Sequence, residues 1–256
     1  MARPPLLFVH GALTGAWIWD TWREQLERLG WEAIVIDLRG HGRSLPADFT
    51  SVTIDDYLHD LESVVPQVAA ARQQQPVVAG WGMGGLIAML YAAAHQETPA
   101  LVLLSPPPPL EVAGRASPES VRQVPPGPFG PEQDGLYPDD RGASRAALFD
   151  LSDAEADRAL LNLKGAEESG FARRQVLRGV SVVPGAIRCP ALVLYGEEDA
   201  CRPPEQSRRL AAYLGAEQIG VAGAGLWGIV CHEEAVIAAA AGLDAWLQRR
   251  LEAGDA

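Results

Sequence analysis

Residues 77–85 decide the fold. They read Val77-Val78-Ala79-Gly80-Trp81-Gly82-Met83-Gly84-Gly85, an apolar run that leads into a cluster of glycines. The run predicts a buried strand, and the glycines predict a tight turn into a helix, because glycine adopts strained turn conformations without a steric penalty. Small residues in such a turn let the central side chain project from the backbone. That centre is Gly82, so the turn presents no side-chain atom able to attack a carbonyl group.

Apolar runs alternate with amphipathic segments along most of the chain, a pattern typical of a parallel sheet with helices on both faces. We predict an α/β fold with a mostly parallel, minimal sheet of six strands. The predicted strands are Leu6 to His10, Ala33 to Asp37, Pro76 to Gly80, Ala100 to Ser105, Ala191 to Gly196 and Glu217 to Val221. The predicted helices are Ala16 to Leu29, Thr53 to Ala71, Leu86 to His95, Pro204 to Leu214 and Glu233 to Leu251. We expect Pro66 to kink or shorten the second helix, because proline cannot donate the helical hydrogen bond.

The alternation stops between residues 106 and 187, which we interpret as a cap inserted into one sheet domain. That domain then consists of residues 1–105 and 188–256. The first part of the insertion, to about Asp140, is rich in proline and glycine and predicts no long helix. In the second part, Ser152 and Glu155 form a capping-box pattern ahead of a helix, and a further helix is predicted from Glu167 to Leu177.

The composition limits the classes of binding partner and the cellular location that we expect for this protein. The formal charge is −12, and Lys164 is the only lysine. We therefore expect no binding to nucleic acid, since a phosphate backbone requires clustered lysine and arginine. The apolar run from Ala235 to Leu243 is too short to span a membrane, and no secretory leader is visible, so we expect no membrane association and a cytoplasmic location. We expect no metal site and no cofactor, because the cysteines have no metal-binding or disulfide spacing: Cys189, Cys201 and Cys231.

Five motifs, in order along the chain, resemble those of the α/β-hydrolase superfamily. Phe8-Val9-His10-Gly11 is similar to the strand before the oxyanion loop, Asp37-Leu38-Arg39-Gly40-His41-Gly42-Arg43-Ser44 to the turn after the next strand, and Gly80 to Gly85 to the nucleophile elbow. Leu192 to Asp199 resembles the strand and loop that carry the acid of a catalytic triad, and Ala222 to Gly228 the loop that carries the histidine. The resemblance covers essentially the whole chain and implies a capped esterase-like or lipase-like fold.

The same resemblance implies an altered triad. Gly82 stands in the place of the serine, Leu226 in the place of the histidine, and only the acid, Asp199, is retained. None of the five histidines falls in the place of the base. The resemblance also implies an oxyanion hole formed by the main-chain amides of Ala12 and Met83, which do not depend on side-chain identity.

Three further residues have alternative interpretations. Trp81 and Trp227 flank the altered positions and are candidates for an aromatic wall of a substrate site, although core packing is the commoner role of tryptophan. Asp199 is either a general base, with its pKa raised by an apolar pocket, or a structural remnant hydrogen-bonded to loop amides. We favour the remnant.

The sequence leaves three functions open, each with a small-molecule ligand or substrate. The first is an enzyme that transforms a small, apolar carbonyl or ester-like compound without an acyl-enzyme, using the main-chain oxyanion hole. The second is a ligand-binding pseudoenzyme. The third is an engineered or disabled variant of a serine carboxylic-ester hydrolase, in which Gly82 and Leu226 replace the serine and the histidine. The sequence sets no oligomeric state.

Overall fold

The computed structural model describes residues 3–134, 136, 145, 147–183 and 185–253. The eight described strands are β1 (Leu6–Val9), β2 (Ala33–Ile36), β3 (Val77–Trp81), β4 (Leu101–Leu104), β5 (Pro128–Phe129), β6 (Glu168–Ser169), β7 (Ala191–Gly196) and β8 (Glu217–Val221). Six of them form one parallel sheet in the order β2-β1-β3-β4-β7-β8. Strands β5 and β6 form a separate antiparallel pair.

The described helices are α1 (Asp20–Arg28), α2 (Ile54–Arg72), α3 (Met83–Ala94), α4 (Leu110–Ala113), α5 (Pro118–Gln123), α6 (Asp153–Leu163), α7 (Gly170–Arg178), α8 (Pro204–Leu214), α9 (Gly228–Cys231) and α10 (Glu233–Ala253). Short 3-10 turns cover Ala16–Trp19 and Pro131–Asp134. In the described part of the chain, no helix is long and apolar enough to cross a membrane.

Apolar helix faces cover both sides of the sheet. Helices α1 and α10 contribute to one buried cluster, and α2, α3 and α8 contribute to the other. Strand β3 supplies Ala79 and Trp81 to the first cluster and Val78 to the second, because successive side chains of a strand point to opposite faces. The predicted α/β fold, with six parallel strands and helices on both faces, is confirmed.

The structure corrects three predicted elements. Helix α2 does not end at Pro66 but continues to Arg72, since residues on both sides of the proline, including Val65 and Val68, pack on the core. Helix α3 begins at Met83 rather than at Leu86. The helix predicted from Glu167 begins only at Gly170, because Glu168 and Ser169 pair with β5 instead.

The first turn of α3 lies very close to the end of β1. A Cβ atom on Gly84 would be only 2.3 Å from the carbonyl oxygen of His10 and 2.4 Å from that of Val9. These neighbours are backbone atoms of a fully buried strand end, so they cannot move aside cheaply. Gly84 is therefore required by the approach of the helix to the sheet.

Residues 106–187 lie between β4 and β7, and their described part adds no strand to the main sheet. We call them the intervening segment. Within it, the capping box predicted at Ser152 is confirmed at the start of α6. The Glu155 side chain also accepts a hydrogen bond from the backbone N–H of Glu233, at 3.0 Å, and lies 3.2 Å from Nδ1 of His232. Glu155 thus joins the intervening segment to the start of α10.

Burial alone would raise the pKa of Glu155, but the hydrogen bonds from Ser152, Glu233 and His232 outweigh it and lower the pKa to about 2. The ionised form is therefore the one that the fold favours. The resulting stabilisation is present above the ordinary pKa of about 4.5 and is lost as the pH falls towards 2.

Gly84→Ala should prevent folding or lower the free energy of unfolding by about 3 kcal/mol or more, because the new methyl group overlaps backbone atoms. Gly127→Ala is the matched control, since a Cβ atom there meets nothing within 4 Å. Urea unfolding followed by circular dichroism measures both. Equal stability of the two variants would contradict the close approach of α3 to β1.

Glu155→Gln should lower the free energy of unfolding at neutral pH by on the order of 2 kcal/mol, because the amide loses the charge that its donors stabilise. The difference from the unmodified protein should shrink as the pH is lowered from 5 towards 3. Glu27→Gln, on the exposed face of α1, should have no such pH-dependent effect. A difference that grows on acidification would refute the lowered pKa.

Candidate ligand site at the elbow

The turn between β3 and α3 has a backbone conformation that side chains rarely adopt. Gly82 has φ +56° and ψ −128°, and it immediately precedes the first residue of α3. Its N–H donates to the carbonyl oxygen of Leu104 at 3.1 Å, which ties the turn to β4. A Cβ atom on Gly82 would have room, since its nearest neighbours are Cα of Gly11 at 3.7 Å and Nη1 of Arg202 at 3.9 Å. The strain of the conformation is what glycine relieves here.

A cavity of about 50 Å³ lies at this turn. It brings together six of the seven residues that the sequence predicted for the site: Ala12, Trp81, Gly82, Met83, Leu226 and Trp227. It shares lining residues with a larger cleft of about 420 Å³, whose walls include residues of the intervening segment such as Pro107 and Val176. The larger cleft is within the usual size range of small-molecule sites.

Two backbone amides at the cavity are available to a ligand. The N–H groups of Ala12 and Met83 donate no hydrogen bond to any other part of the described chain. Met83 is the first residue of a 12-residue helix, whose N-terminus carries a partial positive charge. Both amides are thus suited to a negatively charged or polarised oxygen, which is the role predicted for them.

A fully buried carboxylate holds the loop that carries Ala12. Oε2 of Glu168 accepts a hydrogen bond from the N–H of Leu13 at 3.3 Å and lies 3.3 Å from Nε2 of His41. Oε1 accepts from the N–H of Ser169 at 2.7 Å and from the hydroxyl of Tyr57. Burial would raise the pKa of Glu168, but His41, Tyr57 and the Ser169 amide outweigh it and lower the pKa. Glu168 therefore acts as a buried anion that joins the intervening segment to the loop.

The loop that carries Leu226 is held from two sides. On one side, Oδ2 of Asp150 accepts hydrogen bonds from the N–H groups of Gly225, at 2.7 Å, and Gly228. On the other, Nε1 of Trp81 donates to the carbonyl oxygen of Leu226 at 3.0 Å. The rings of Trp81 and Trp227 meet edge to face with centroids 5.2 Å apart. Leu226 is thereby fixed at the cavity, where it offers no group that could accept a proton.

Asp199 is the predicted site residue that does not line the cavity, as far as the described walls show. It is 2% exposed, and its Oδ1 accepts the N–H of Arg202 at 2.7 Å. Its Oδ2 and the hydroxyl of Ser105 are buried, and neither makes a well-formed hydrogen bond to the described residues. Burial raises the pKa of Asp199, against the opposing effect of Arg202. This environment is that of a buried loop carboxylate held by an amide.

Two arginines that the sequence did not point to also line the cavity. Arg202 follows Asp199 by three residues, and its Nη1 donates to the carbonyl oxygen of Ser105 at 2.8 Å. Arg173 reaches the cavity from α7 and forms an ion pair with Asp134 at 3.2 Å. The only available signal was that Arg202 occurs in the loop after the predicted acid. Arg173 belongs to an amphipathic helix and carries no signal of its own.

Comparison with known proteins agrees with this architecture. The sequence profile of the α/β-hydrolase fold family matches residues 4–230. The chain belongs to the α/β-hydrolase fold family. Several curated proteins are similar in sequence. Among them, the AB hydrolase superfamily protein YisY of Bacillus subtilis is 26% identical over 80% of this chain and 78% of its own length. The pimeloyl-[acyl-carrier protein] methyl ester esterase of Chromobacterium violaceum is 29% identical over 70% of each chain.

A solved structure shows the same fold. The thermophilic esterase from Thermogutta terrifontis, determined with malate bound, superposes with a TM-score of 0.74 at 21% identity and covers 97% of this chain and 91% of its own. At this identity the similarity concerns the fold alone.

The five histidines of the chain all lie in its described part, and none lines the elbow cavity. His10 accepts the N–H of Leu38 at 3.0 Å, and burial lowers its pKa to about 4. His41 lies against Glu168, His232 against Glu155, and both His59 and His95 are near Glu62. None of the five therefore offers an imidazole to the elbow cavity.

Glu168→Gln should lower the free energy of unfolding by about 3 kcal/mol, because the amide nitrogen faces backbone donors and the charge beside His41 is lost. Glu167→Gln changes an exposed neighbour and is the control. Chemical unfolding measures the loss, and hydrogen exchange should show faster exchange at Leu13 in the Glu168 variant only. Equal stability of both variants would exclude Glu168 as the anchor of the loop.

Proposed function

We propose that this chain binds a small carbonyl-bearing compound at the elbow cavity and forms no acyl-enzyme with it. The observation that carries the proposal is Gly82, which has the strained backbone of an elbow but no side chain. The Ala12 and Met83 amides remain available beside it, so the cavity can bind a polarised oxygen. Among its described walls there is no hydroxyl, thiol or imidazole that could attack the bound group.

The geometry favours binding over base catalysis. Asp199 has the raised pKa that a general base requires, but Arg202 rather than Asp199 lines the cavity at this point. A general base must lie within hydrogen-bond reach of the proton that it removes. The arrangement therefore supports the interpretation of Asp199 as a structural remnant, and the interpretation of the chain as a ligand-binding pseudoenzyme.

The relatives support the chemical class of the ligand. The Chromobacterium violaceum protein is named as an esterase, and so is the Thermogutta terrifontis protein of the same fold. An esterase binds an ester carbonyl in an oxyanion hole, and we propose that this chain has kept that binding function of the main chain. We also propose that residues 106–187 act as a cap, because several of them form the wall of the cleft opposite the elbow.

A fluorophosphonate probe tests this function, because it reacts with an activated serine at an elbow. The unmodified protein should show no mass increase in intact-mass spectrometry and no burst of product from a p-nitrophenyl ester. The Chromobacterium violaceum esterase, treated in parallel, is the positive control. A covalent adduct on a residue of the elbow cavity would refute the proposal.

A further inference from the structure

We infer that the group bound at the elbow is a carboxylate on an apolar body, and that Arg202 selects it. This inference rests on the proposed function, because it specifies the ligand of the same cavity. The small carbonyl compound expected from the sequence is thereby specified as a carboxylate, which carries one negative charge. Four observations carry it: the charge of the walls, the surroundings of Arg202, the position of the free amides and the apolar part of the cleft.

The charge of the cleft is opposite to that of the chain. The whole protein has 33 acidic and 21 basic residues. Yet the charged residues among the described walls of the larger cleft are three arginines and one aspartate: Arg115, Arg173, Arg202 and Asp134. A positive cleft in an acidic protein attracts anions locally, because low-dielectric walls concentrate the field of the charges that line them.

Arg202 makes no direct ion pair with a described carboxylate, although the charges of Asp199 and Asp134 act on it from a greater distance. Within the described residues, no carboxylate oxygen lies within 4 Å of its guanidinium group, whereas Arg173 is paired with Asp134. Asp199 is near in sequence, but it accepts the backbone N–H of Arg202 rather than a guanidinium N–H. An anion in the cavity would add the direct ion pair that Arg202 lacks within the described residues.

The cavity presents donors on two sides. A Cβ atom on Gly82 would be 3.9 Å from Nη1 of Arg202, so the guanidinium borders the space where a side chain at position 82 would project. The free amides of Ala12 and Met83 line the same cavity. A carboxylate has two oxygens, one for the amides and one for the guanidinium, whereas a neutral carbonyl group has one. Charge-assisted hydrogen bonds of this kind are stronger than neutral ones.

The rest of the cleft is suited to an apolar body. Beyond Arg202 its walls include Pro107, Val176, Leu226 and Trp227. Burial of apolar surface against these side chains contributes affinity, and the carboxylate fixes the orientation of the ligand. The class of ligand is therefore an aryl-alkyl or medium-chain monocarboxylate.

Isothermal titration calorimetry with 4-phenylbutanoate and its neutral analogue 4-phenylbutanamide tests this inference. The unmodified protein should bind the carboxylate about 10- to 100-fold more tightly than the amide at neutral pH, the range expected for hydrogen bonds to a charged group. Arg202→Gln should reduce that preference to about 3-fold or less, and Arg202→Lys should retain part of it because the charge remains. Arg209→Gln is the matched control, since Arg209 is exposed on α8 and pairs with Glu205.

The preference of the unmodified protein decides the question even if the Arg202 variants do not fold. Equal or tighter binding of the amide overturns the inference, and so does the absence of carboxylate binding up to about 10 mM. Retention of the full preference in a folded Arg202→Gln variant overturns the role of Arg202. Binding of the amide without a covalent adduct would leave the proposed function intact, whereas fluorophosphonate labelling would refute that function whatever the calorimetry shows.

Discussion

The close approach of α3 to the ends of β1 and β3 is the constraint on which the site depends. Gly84 lets the helix start against the His10 carbonyl, and a Cβ atom on Gly80 would lie only 2.3 Å from the carbonyl oxygen of Gly84. This contact involves backbone and fixes Met83 beside the loop of Gly11 and Ala12. The amide pair therefore depends on the glycines around the turn and not on the residue at its centre. The positions of the two amides therefore do not require a side chain at position 82.

Two buried carboxylates near the site have opposite environments. Glu168 receives donors on both oxygens, so the fold supports its charge and its pKa is lowered. Asp199 has a donor on one oxygen only, and burial raises its pKa. The first carboxylate organises the loop of Ala12. The second accepts the backbone N–H of Arg202 rather than a guanidinium N–H, so the guanidinium borders the cavity without a direct ion pair to a described carboxylate.

The six strands of the main sheet were predictable because most are short apolar runs between turn residues, and β7, β8 and α8 have the predicted bounds. Strands β5 and β6 are two residues each and were not predicted. The start of α3 at Met83 was not predictable, because Gly84 and Gly85 are poor helix formers. Only the tertiary contact of this turn with β1 explains why the helix includes these two glycines. Six candidate site residues meet in one cavity because the motifs that carry them lie at the carboxyl ends of parallel strands, at the same end of the sheet. Their catalytic and binding roles stay predictions. Glu168, Arg173 and Arg202 were missed, since their importance comes from partners distant in sequence and no local pattern marks them.

The hydrogen bond from Leu13 to Glu168 has a mechanical consequence. Glu168 belongs to the segment that walls the cleft, and Leu13 follows directly after Ala12. The intervening segment, several residues of which line the cleft, and the loop of Ala12 are therefore coupled through this buried carboxylate. A ligand that displaced the segment at Glu168 would also shift the amide of Ala12, because the hydrogen bond to Leu13 joins the two.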